Sequence, residues 1–139
     1  MRAMDNTFYR RLLVPGQEPA EESLKVLKWI RDVTPELVKA FTPSEIILFG
    51  SRRAETNRLG IGPKPTPDSD IDLLVVMRTS LSFLDRLKTV HDFLLKRDPP
   101  RDVDVIVYTP KQWKSKETSS FGKMMADGLV LYRKEGDQS

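Results

Sequence analysis

The chain has 139 residues, no cysteine, and 23 basic against 20 acidic side chains, for a formal charge of +3. That length supports one domain with a single core and leaves no room for a second domain of substance. Disulfides and thiolate metal sites are excluded, no apolar run is long enough to span a bilayer, and residues 1–19 lack the apolar segment of a signal peptide, so a cytoplasmic protein without a membrane anchor is expected. Basic and acidic residues are interleaved, a balance that suits a soluble protein meeting an anionic ligand locally and does not demand a nucleic acid.

Residues 1–18 carry Phe8, Tyr9, Leu12, Leu13 and Val14 among arginines without turn chemistry. They read as a partly ordered arm, either a frayed terminus or a segment that packs on a partner or second subunit. A helix is predicted from Pro19, with Glu21 and Glu22 at the positive end of its dipole and Leu24, Leu27 and Ile30 at helical spacing. Thr34 and Pro35 then read as an N-cap and first-turn proline, so a second short helix through Leu37, Val38 and Phe41 is expected before Pro43. The run 46–49 is short and bulky, a buried strand. Between Ser51 and Asp70, Gly60, Gly62, Pro63, Pro65 and Pro67 force an irregular loop, whose length leaves a functional and a disordered reading open.

After its carboxylates the run 71–77 is apolar on both faces, the mark of a central strand covered by helices. Ser82 with Asp85 opens a helix reaching about residue 96, in which His91, the single histidine, reads as a boundary residue. Asp98, Pro99 and Pro100 end it, and a strand follows over 103–108. Thr109 and Pro110 start another helix with Trp113 on the sheet and Lys111, Lys114 and Lys116 outward. Ser119 or Ser120 caps a last helix with Phe121, Met124 and Met125 inward, Gly128 stops it, and 129–132 form an edge strand or packed tail. The sum is one α/β (α+β) domain over 19–133, a mixed sheet with helices on its faces, and a flexible tail over 134–139.

Chemistry concentrates in IILFGSRRAETNRLGIGPKPTPDSDIDLLVV, residues 46–76. Asp70 and Asp72 point the same way from a strand opening, as a pair of hard oxygen donors for a divalent ion such as magnesium. Gly50 allows close approach of the backbone to a phosphate, and Ser51 with the arginines after it would present amides and charge. Two carboxylates facing a phosphate cradle read as phosphoryl or nucleotidyl transfer. Asp102 and Asp104 share a strand face, so parity alone does not choose a third acid; a carboxylate among Val103, Val105 and Ile106 would be costly unless it met a cation, which favours Asp104.

The elements GSRR, DSDIDLLVV and VDVIV resemble the polymerase-beta-like nucleotidyltransferase superfamily, in particular its minimal single-domain branch that serves as antitoxin. The resemblance spans about residues 24–132. It implies a mixed-sheet palm and two-metal chemistry, with Asp70 and Asp72 bridging two magnesium ions, Asp104 completing the metal site, and Gly50, Ser51 and Arg52 (or Arg53) holding the triphosphate of ATP. It further implies transfer of AMP to a hydroxyl of a partner protein, a helical toxin of the HEPN type. The twenty-residue step from Gly50 to Asp70 exceeds the family's usual spacing and marks an insertion at about 53–67. Two other readings stand beside this one: a binding antitoxin or complex subunit with a relic site, and an RNA- or small-molecule-modifying transferase. The RNA reading is disfavoured because aromatic residues do not interleave with the basic ones. A homo-oligomer stays open.

Overall fold

A computed structural model describes residues 21–50 and 70–135. The expected arm at 1–18, the insertion at 53–67 and most of the tail at 134–139 lie outside the described residues. In chain order the elements are α1 (Glu21–Phe41), β1 (Glu45–Phe49), β2 (Ile71–Val76), α2 (Phe83–Leu95), β3 (Val103–Tyr108), α3 (Pro110–Lys116), α4 (Ser120–Ala126) and β4 (Leu129–Arg133).

The four strands form one mixed sheet in the order β3-β2-β1-β4. β1 runs antiparallel to both β2 and β4, while β2 and β3 are parallel. A parallel pair needs a crossover, and α2 supplies it. Alternation along each strand divides the core in two. On one face Ile46, Leu48, Ile71, Leu73, Val75, Val103 and Val107 pack with α1 and α2. On the other, Ile47, Phe49, Leu74 and Val76 pack with Trp113 of α3 and Met125 of α4. Each such side chain contributes about 1.5–3 kcal/mol on full burial. Two helices of seven residues cover less of a sheet than α1 and α2 do, and Ile106 and Tyr108 on that second face remain partly exposed.

Three local expectations are corrected. The two predicted N-terminal helices are one, with Pro35 inside α1. Thr34 does not cap; its hydroxyl donates to Ile30 O at 2.7 Å, and apolar residues on both sides of the proline, Val26 and Ile30 before it and Leu37 and Val38 after it, sit in one core. Burial of a continuous stripe outweighs the lost backbone bond at Pro35. In α4 only Met125 is turned inward as expected; Phe121 is 50% and Met124 41% exposed, because so short a helix offers the sheet a single narrow face. Gly128 follows the Asp127 C-cap, and its lack of a side chain serves a close approach: a Cβ there would overlap Leu48 O of β1.

The remaining elements follow their signals. Ser82 Oγ accepts from Asp85 N at the start of α2, Thr109 and Gln112 form a reciprocal capping box around Pro110, and Ser119 caps α4. No helix among the described residues is long and apolar enough to cross a membrane.

Candidate active site

The register of the sheet assembles the acidic residues. Asp72 lies opposite Phe49 in the antiparallel pair and opposite Asp104 in the parallel one. It shares its face with Leu74 and Val76, the side covered by α3 and α4, so Asp72 and Asp104 emerge where that cover stops. Asp70, two residues before Asp72, has the same parity, and its carboxyl is hydrogen-bonded to that of Asp104. Three carboxylates from the amino ends of two parallel neighbours therefore converge.

Gly50 closes the cluster from β1. It has φ of +75°, a left-handed conformation that a side chain disfavours, and a Cβ built on it would overlap Asp72 Oδ2. The turn after β1 is thus pressed against the central carboxylate. Ser51, Arg52 and Arg53 lie outside the described residues.

The electrostatics are those of crowded negative charge. Burial, then Asp104, then Asp70 raise the Asp72 pKa from 3.8 to about 6. Asp104 is also raised, first by desolvation and then by Asp70 through charge and hydrogen bonding, while His91 acts in the opposite direction. Contrary to the expectation of a buried acid, Asp104 is exposed; β3 is an edge strand and α3 begins beyond its far end. Asp102 is exposed just before the strand and comes last among the influences on Asp104; the register sets Asp104, not Asp102, opposite Asp72.

His91 is the residue that sequence reasoning passed over. Half-buried on α2, its Nε2 lies 3.1 Å from Val103 O. A carbonyl can only accept, so Nε2 carries the proton. The ring thereby ties α2 to the residue preceding Asp104. Helical periodicity alone could not reveal this, because the partner is a backbone atom of a strand twelve residues on.

Among the described residues, no group of three or more His, Cys, Asp or Glu side chains is arranged as a ready metal-ligand set. The donor chemistry nevertheless fits a hard divalent cation. Carboxylate oxygens are its preferred ligands, and the mutual repulsion that adds to burial in raising two pKa values is relieved by a positive ion placed among them.

The structure thus sets carboxylates at the amino ends of two parallel strands of a mixed sheet, closed by a glycine turn. The chain belongs to the nucleotidyltransferase domain family, whose model matches residues 27–124, and it is a transferase of that kind. The family implies a nucleoside triphosphate substrate and a divalent metal in general. Among curated proteins none matches the chain significantly.

Proposed function

We propose that the protein transfers AMP from ATP to a hydroxyl of a partner protein, as the antitoxin of a toxin–antitoxin pair of the minimal nucleotidyltransferase type. The observation that carries transfer chemistry is the convergence of Asp70, Asp72 and Asp104 against Gly50. Asp70 and Asp72 are the proposed ligands of two magnesium ions, and Asp104 completes the set. Held by these carboxylates, such ions would supply charge neutralisation for the attacking and leaving oxygens of an in-line displacement.

The chain's own groups do the rest. Gly50 keeps the turn low enough for a phosphate to approach the carboxylates, with Ser51 and Arg52 the proposed triphosphate contacts. In the displacement the acceptor oxygen bonds to the α-phosphorus, the bond from that phosphorus to the bridging oxygen breaks, and pyrophosphate leaves with the electron pair. The acceptor proton passes to Asp104, the carboxylate on the nucleophile side. A protein acceptor suits this chemistry because positioning two reactants requires a surface, and a folded partner brings its own.

The test is intact-mass analysis of the product of the adjacent gene after incubation with this protein, ATP and magnesium. An added AMP that is lost when Asp70 and Asp72 are both replaced by Asn supports the reading. A partner neutralised equally well by that double variant, without a mass change, would establish a contact-only antitoxin.

A further inference from the structure

A concave site lies at the end of the sheet opposite the carboxylates. Arg78 and Thr79, just past β2, and Thr109, Pro110, Lys111 and Lys114, at the passage from β3 into α3, line a cleft of about 570 Å³. That volume is in the range of sites that enclose small ligands or anchor side chains. With a rise of about 3.3 Å per strand residue, it stands on the order of 15–20 Å from the carboxylates.

Three of its six lining residues are cations and none is acidic. Arg78, Lys111 and Lys114 are exposed, and among the described residues none of them forms an ion pair. A fourth cation lies behind them. Arg86 is only 7% exposed, and its guanidinium donates to Leu81 O at 3.2 and 2.8 Å and to Gln112 Oε1 at 2.7 Å. All of these acceptors are neutral, so hydrogen bonding is satisfied while the charge is left uncompensated, and it adds to the positive potential of the cleft.

The same bonds tie the loop before α2 to α3, and apolar side chains stand exposed at the end of that loop and on the first turn of α2. Leu81 is 41%, Phe83 43% and Leu84 75% exposed. Large apolar side chains gathered beside a pocket mark an interaction surface. Nucleic acid is the poorer occupant, because Trp113 is buried and stacks with Tyr108 at 6.4 Å and 15°, leaving Phe83 as the well-exposed ring of the three and no row of rings on which successive bases could stack.

We propose that this cleft docks an acidic segment of a partner protein that carries an apolar anchor. The anchor packs on Leu81 and Phe83 while carboxylates meet Arg78, Lys111 and Lys114. Docking here needs no nucleotide, so it stands or falls separately from the transfer chemistry.

The experiment is fluorescence anisotropy on the full chain, without nucleotide, using a fluorescein-labelled acidic peptide in which glutamates flank a leucine and a phenylalanine. Binding that weakens with salt is expected, with a loss of about tenfold or more in Lys111→Glu/Lys114→Glu and again in Arg78→Glu. Asp70→Asn/Asp72→Asn should bind the peptide as the wild type does. Absence of binding, or binding undiminished by both charge reversals when circular dichroism shows them folded, overturns the proposal. So does tighter binding of labelled oligouridine. A wild-type dimer in sedimentation that dissociates in Lys111→Glu/Lys114→Glu would assign the cleft to a second copy of the chain and overturn it as well.

Discussion

Gly50 and Asp72 occupy one another's space: the side chain that Gly50 lacks would stand where Oδ2 of Asp72 lies. The contact joins the turn after β1 to the middle of the carboxylate cluster, so a change at Gly50 reaches the proposed chemistry directly. In Gly50→Ala the new Cβ must displace the carboxylate, and the left-handed φ costs a further 1–2 kcal/mol or so. We expect transfer to fall by about a hundredfold or more and the melting midpoint to drop by several degrees. Activity and melting together check it; near-wild-type transfer would show that the turn does not set the position of Asp72.

Asp72 also makes stability depend on pH. In the unfolded chain its carboxyl titrates near 3.8, and in the fold at about 6. Below the lower value both states are protonated. Between about pH 4 and 6 the folded state holds the proton that the unfolded chain has released, so stability falls as pH rises through that window and stays lower above it. A shift of this size corresponds to about 3 kcal/mol, reduced to roughly 1–2 kcal/mol for a half-buried group screened by solvent. Without metal or nucleotide, Asp72→Asn should therefore melt about 3–8 °C above the wild type at pH 8 and level with it at pH 4. Magnesium-ATP should raise the wild-type midpoint and leave that of the variant unmoved. Melting curves at the two pH values decide it, and an Asn variant no more stable at pH 8 would contradict the assigned cause.

Much of this site is legible in sequence because its signals are local. Strand parity groups Asp70 with Asp72, and Thr109-Pro110 and Ser82 announce helix starts through caps that need only neighbouring residues. What sequence leaves open depends on partners far along the chain. Pro35 reads as a helix start until Ile30 and Leu37 are seen in one core. Asp102 and Asp104 are equivalent by parity, and only the register of β3 on β2 pairs Asp104 with Asp72. The basic cleft is likewise invisible along the chain, because Arg78 and Lys111 are separated by all of α2 and β3 and meet only when the two parallel strands end side by side.

The separation of Asp104 from Asp102 gives a direct test. A group engaged mainly in the transition state affects turnover more than ground-state binding. Asp104→Asn should lower kcat by about a thousandfold with nucleotide affinity changed by less than about tenfold, whereas Asp102→Asn should stay within about threefold of wild type. Single-turnover transfer and calorimetric binding of magnesium-ATP supply the two readings. The opposite order would place the reacting acid one strand step earlier.

His91 bears on the same acid from behind. Its Nε2–H holds Val103 O at 3.1 Å, and its charge lowers the Asp104 pKa against the larger raising effects of desolvation and Asp70. Removing the ring in His91→Ala takes away that opposing influence, so the Asp104 pKa rises further and more alkaline solution is needed to ionise it. The acid limb of the pH profile for transfer should move to higher pH. A partly buried hydrogen bond is lost as well, at about 1 kcal/mol, and the melting midpoint should fall modestly. His91→Gln, which restores a donor toward Val103 O without the imidazole, separates the two effects: it should recover most of the stability while keeping the displaced acid limb. If Gln restores the pH profile together with the melting midpoint, His91 acts by holding β3 alone, and its charge has no part in setting the proton affinity of Asp104.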